Sequence, residues 1–172
     1  MANERYTRTN QKMYFAGLAL EACRKAGATR PANALALIQA EREAAIFHLY
    51  GALLGLCHEI AGYYRFPEAD LPLVENFLNE KFLQDSPSPE LSELIELMAQ
   101  PQSWLAQLLA AYRELFLPPR QPNFVKVDPR LPVIPTVTLQ EAEPELSLEE
   151  MESWRQHLKG LAMRFRETLT EW

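Results

Sequence analysis

Glycine is scarce in this chain, six residues in 172, against thirteen prolines. So few glycines leave little material for tight turns, which argues against a sandwich or barrel and against loops that cradle phosphate. Cysteine is scarce as well: Cys23 and Cys57 alone make neither a disulfide scaffold nor a zinc site. No HExxH, CxxC or GxSxG pattern occurs. Positive charge is in the minority, 17 Lys and Arg against 23 Asp and Glu, and the resulting net charge of −6 disfavours nucleic acid as a partner. The longest uncharged apolar run, 44–57, falls short of the roughly 20 residues that a membrane span needs. Residues 1–12 are polar and charged, without the apolar core of a signal peptide. With unpaired thiols, the expectation is a soluble cytoplasmic protein.

What is present is hydrophobic residue at helical spacing. Apolar residues make up 48% of the chain, enough for one packed domain over 1–172. The periodicity predicts an all-α fold, a bundle of five or six helices around a long second helix. A first helix over 4–26 carries Phe15, Leu18 and Ala22 on one stripe, with Gly27 as its stop signal. Thr29 and Pro31 open a second helix reaching Tyr64, interrupted only by Gly51, Gly55 and Gly62. Asp70 is the expected cap of a third, with Leu73, Val74, Phe77 and Phe82 as its apolar face. Ser88 with Pro89 at the first position starts a fourth, burying Leu91, Leu94, Ile95 and Met98. Pro101 starts a fifth, with Trp104, Leu105, Leu108, Tyr112, Leu115 and Phe116. The last helix has the clearest start: Ser147 and Glu150 form a capping box, and Leu146 with Met151 a hydrophobic staple. Its stripe runs from Leu148 through Met151, Trp154, Leu158, Leu161, Phe165 and Leu169 to Trp172.

Between the last two helices the character changes. Seven of residues 118–144 are proline, which rules against a central strand. Phe124, Val125, Val133 and Ile134 make this stretch too apolar for a plain linker, so 118–146 reads as an extended arm packed on the bundle. Charge is uneven too. Residues 1–65 hold eight Lys and Arg against five acids, whereas 66–172 hold nine against eighteen. Such asymmetry supports docking between unlike faces, and it also describes an ordinary solvated surface.

Few residues stand out for chemistry. Glu41, His48 and Glu59 fall near one line of the second helix, yet about 10 and 16 Å apart along its axis, too far to share a metal. His48 is therefore expected to be buried and hydrogen-bonded across the bundle. Arg5, Arg8 and Lys12, with Tyr6 and Tyr14 close by, have the mix of cations and rings that contacts single strands, although three charges hold a polyanion weakly. Gly51, Ala52 and Gly55 form a strip of small residues that lets another helix come close, within the bundle or across a dimer.

Arg42 followed by His48 resembles the Arg-to-His motif of the HEPN nucleases. That resemblance implies an Arg42 that stabilises phosphate charge and a His48 in acid–base work on an RNA 2′-hydroxyl. The two side chains point about 240° apart around an ideal helix, and Glu43 stands where that family has a small polar residue. Over nearly its full length the chain also resembles an uncharacterised family of small helical proteins from pseudomonads and related bacteria. The resemblance lies in Tyr6-Thr7-Arg8-Thr9-Asn10-Gln11-Lys12, in Arg42-Glu43-Ala44-Ala45 to Phe47-His48-Leu49-Tyr50-Gly51-Ala52-Leu53 and in Leu56-Cys57-His58-Glu59-Ile60-Ala61-Gly62-Tyr63-Tyr64. It implies a role at the edge of the DNA-damage or cell-division response and supplies no mechanism.

The expected function is binding: a non-enzymatic protein acting on a protein partner or as a homodimer, without cofactor or metal. Gly51, Gly55, Phe124, Val133 and Ile134 are its candidate interaction residues. The alternatives are a HEPN-like protein using Arg42 and His48, and a binder of small apolar ligands near Trp104, Tyr112 and Trp154.

Overall fold

The computed structural model describes residues 2–118 and 146–170. Phe124, Val133, Ile134 and Trp172, and with them nearly all of the expected arm, lie outside the described residues. Those described form seven helices and no strand: α1 (Ala2–Thr29), α2 (Ala34–Tyr63), α3 (Val74–Phe77), α4 (Glu80–Asp85), α5 (Pro89–Ala99), α6 (Trp104–Glu114) and α7 (Leu148–Thr170). The long second helix is the central strut, packed by α1 along most of its length and by α3, α5, α6 and α7 elsewhere.

All six glycines sit inside helices, Gly17 and Gly27 in α1, Gly51, Gly55 and Gly62 in α2, and Gly160 in α7. Gly27 accordingly does not end the first helix, contrary to expectation. The stop comes at Arg30, which takes a left-handed φ of 45° just before Pro31, a residue that cannot donate to a further turn. The second helix ends the same way at Arg65 (φ 56°), with Phe66 N–H donating to Ala61 C=O at 2.9 Å and Arg65 N–H to Gly62 C=O at 3.3 Å. That pair of bonds closes the last turn and satisfies two orphan carbonyls.

The first helix is rotated from the expected stripe. Met13, Ala16, Ala19, Leu20, Cys23 and Ala26 face the core, while Leu18 is exposed and Phe15 and Ala22 are half-buried. Small residues dominate the true stripe because α1 lies close against α2, so the largest hydrophobes of α1 do not mark its inner face. The single third helix expected over 70–82 is two. Leu78 leaves the helical region and Asn79 caps α4 by accepting from Phe82 N–H at 2.8 Å. Asp70 caps nothing; it pairs with Arg5 at 2.9 Å.

Two other starts are as read, at Ser88 and Ser147, whereas α2 begins at Ala34 rather than at Thr29 or Pro31 and α6 at Trp104 rather than at Pro101. Ser88 caps α5 through Leu91 N–H with Pro89 in the first turn. Ser103, two residues after Pro101, caps α6 through Ala106 N–H at 3.1 Å. Ser147 and Glu150 exchange bonds of 2.7 and 3.1 Å, which is the capping box. Ser147→Ala is expected to cost about 1 kcal/mol, read from urea denaturation.

Two polar clusters tie the far ends of the helices together. Arg166 of α7 forms a two-pronged pair with Glu59 of α2, both bonds 2.8 Å, also donates to Asn10, and lies 3.9 Å over the Tyr6 ring. Glu90, only 6% exposed, accepts hydroxyl bonds from Tyr64, Ser88 and Thr168. The carboxylate thus joins the end of α2 to the start of α5 and the end of α7.

Candidate docking face

Helices α1, α2 and α6 share one side on which aromatic rings meet in an unbroken row. Tyr14 and Phe15 touch at 6.4 Å between ring centres, Phe15 and His48 at 5.4 Å, and His48 and Phe47 at 5.7 Å. Phe47 reaches Tyr112 at 6.4 Å, and Tyr112 reaches Phe116 at 5.4 Å. The row is anchored from below, because Tyr112 stacks on buried Tyr50 at 3.6 Å, and the Tyr50 hydroxyl donates to Glu75 and accepts from Val74 N–H. Burial first, and the Glu75 carboxylate after it, push the Tyr50 hydroxyl well above its ordinary range. The base is fixed, and the tips are open: Tyr14 is 63% exposed, Phe47 46% and Phe116 70%. Rings held rigidly yet left in water are the groups that gain most from being covered.

Cations lie beside them. Lys12 lays its methylenes along Gly51 and holds its ammonium 5.0 Å above the Phe47 ring. Arg8, one turn earlier, donates to the neutral Gln11 amide oxygen at 2.5 Å. Burial, and then Arg8, hold the Lys12 ammonium below its usual pKa.

His48 lies inside this row, but not as expected. Its Nδ1 is buried and has no hydrogen-bond partner, in place of the bond foreseen across the bundle. The ring instead packs edge-on against Phe15 and Phe47. Burial, with Lys12 and Arg8 behind it, lowers its pKa from 6.5. In the unfolded chain His48 takes a proton more readily than in the fold, so acid favours unfolding. Stability is therefore expected to fall as pH drops below 6.5 toward the lower folded value, and the fall shrinks in His48→Gln; urea midpoints at pH 7.5 and 5.5 measure it.

The other residues singled out in the sequence are dispersed. Arg42 donates to the Leu146 carbonyl at the start of α7, whereas His48 faces α1, so these two point to different neighbours. Glu59 is held by Arg166. Arg5 donates to Asp70 and the His58 carbonyl, and Tyr6 lies under Arg166, so of the N-terminal cations Lys12 is the one that meets a ring of the row, with Arg8 one turn before it on α1. Gly51 and Gly55 lie between α1 and α2 of one chain; a Cβ on Gly55 would stand 2.6 Å from Thr9 Oγ1. The small strip is an internal seam.

The three aromatics of the apolar-ligand alternative are also separated. Tyr112 stacks on Tyr50, Trp154 is in the core, and Trp104 lines an open groove of about 470 Å³ with His157 and Arg164. Both thiols are buried, and burial pushes Cys57 up to about 12, a value that removes it as a nucleophile at neutral pH. Among the described residues no group of three metal-ligating side chains converges, and no nucleophile stands beside a histidine that a carboxylate orients.

A family model described as a family of unknown function (DUF6586) matches residues 1–172. The chain belongs to that family. No curated protein and no solved structure matches it. Membership accords with the resemblance read from the sequence and leaves function to the geometry. Among the described residues, α2 is the one helix long and apolar enough to cross a membrane, and 61% of its apolar window is buried against the other helices.

Proximity in sequence hinted at pieces of the face. Phe47 and Tyr50 are one turn apart, as are Tyr112 and Phe116, but nothing in the spacing joins α2 to α6. Phe116, expected in the core, lies two residues past the end of α6 and projects into water.

Proposed function

We propose that this protein is a non-enzymatic binding module that docks another protein chain on the ring-lined face of α1, α2 and α6. The observation that carries this is the continuous row from Tyr14 to Phe116, rigid at Tyr50 and exposed at Phe47 and Phe116. Anchored aromatics surrounded by adaptable charged side chains are the composition of interface hot spots. A cytoplasmic setting, at the edge of the DNA-damage or division response, is part of the same proposal.

The test compares the wild type with the double variant Phe47→Ser/Phe116→Ser as bait in its native lysate treated with nuclease. Phe116 is 70% exposed and Phe47 46%, so the variant is expected to stay folded with a loss of about 1–2 kcal/mol, which a thermal melt checks. A protein recovered in stoichiometric amount by the wild type and lost by the folded variant supports the proposal. Equal recovery by both, or recovery of nothing by either, refutes it.

A further inference from the structure

Resting on the docking face above, we propose that the partner segment is acidic as well as apolar, with carboxylates against Arg8 and Lys12 and hydrophobic side chains over Phe47 and Phe116. Charge on the face calls for this. Six other arginines, at 5, 24, 113, 155, 164 and 166, form ion pairs with carboxylates of this chain. Among the described residues no carboxylate pairs with Arg8 or Lys12, which stand one turn apart on α1: Arg8 meets a neutral amide and Lys12 a ring face. Burial first, and then the like charge of Arg8 on Lys12 and of both cations on His48, holds the basicity of Lys12 and His48 down. A carboxylate from outside relieves that repulsion and completes the pairing.

A single-stranded nucleic acid is the other polyanion with stacking surfaces. Two cations give a phosphate chain little hold at physiological salt, whereas a protein segment supplies both few charges and broad apolar cover.

The experiment uses the full chain as target for random peptides displayed on phage, with individual winners remeasured by fluorescence anisotropy. Expected are peptides that combine Asp or Glu with Trp, Phe or Leu. The charge reversal Arg8→Glu/Lys12→Glu should weaken them on the order of 100-fold, and Lys12→Gln, a milder change that keeps the stem, by less. Phe47→Ser/Phe116→Ser should abolish binding. Apolar peptides without acids, insensitive to the charge reversal yet lost with Phe47 and Phe116, would overturn the acidic partner and leave the docking face standing. Winners that ignore both sets of changes, or no enrichment at all, would overturn the two together. An oligo-dT strand that binds more tightly than any peptide would replace the acidic protein with a nucleic acid.

Discussion

Arg166→Ala is expected to lower stability by about 3–5 kcal/mol, among the largest losses any single exchange in this protein produces. The Arg166 side chain is 17% exposed and that of Glu59 9%, so both charges are largely out of water. Their two 2.8 Å bonds offset that desolvation, and truncating one partner leaves the other carboxylate buried and unpaired. The arginine also joins three elements, reaching Asn10 and the Tyr6 ring on α1 as well as Glu59 on α2. Urea denaturation measures the loss. Because much of it is the stranded charge, the apolar double exchange Glu59→Leu/Arg166→Leu should recover a large part. A loss under about 1 kcal/mol for Arg166→Ala would mean that the pair is solvated and that α7 docks through its apolar stripe alone.

Gly55→Ala comes second, with an expected cost of about 1–3 kcal/mol. Alanine is the better helix former by about 1 kcal/mol, so a gain is expected wherever space allows. At Gly55 it does not: a Cβ would lie 2.6 Å from Thr9 Oγ1 and 3.2 Å from Thr9 Cα, and the latter is backbone that moves only with the whole of α1. Gly51 provides the contrast. There a Cβ meets only the Lys12 methylenes, at 3.2 and 3.3 Å, and a flexible stem can shift aside. Gly51→Ala should therefore be close to neutral or slightly stabilising. Thermal melts of the two variants side by side decide the matter, and equal effects would contradict the close approach of α1 and α2 at Thr9.

Much of the fold was legible because its signals are local. The capping box at Ser147 and Glu150, and Ser88 with Pro89, act within one turn, so spacing alone identifies them. The length of α2 followed from an apolar run without proline. Errors arose where tertiary contact overrode a local cue. Gly27 looks like a stop, but α1 continues past it until Arg30 and Pro31. Leu18 looks like core, but close packing on α2 selects Ala16 and Ala19, and turns Leu18 outward. Asp70 looks like a cap, yet Arg5, 65 residues away in sequence, claims its carboxylate.

The docking face was the least legible part, for a related reason. Phe47, Tyr112 and Phe116 come together only through the crossing of α2 and α6, and Lys12 reaches Phe47 only because Gly51 clears its path. A helix wheel shows the period of one helix and says nothing of which neighbour it meets. The basic residues at 5, 8 and 12 look equivalent in sequence; the fold commits Arg5 to Asp70, sets Lys12 over the Phe47 ring and leaves Arg8 with the neutral Gln11 amide.

The most direct measurement places a photo-reactive amino acid at position 47 or 116 of the full chain in its own cells, with Lys159 on the exposed side of α7 as the control position. The account predicts that one protein crosslinks at 47 and at 116, does not crosslink at 159, and disappears when Arg8 and Lys12 are reversed in charge. Crosslinks to 159 alone, to a second copy of this chain, or to nothing would contradict it.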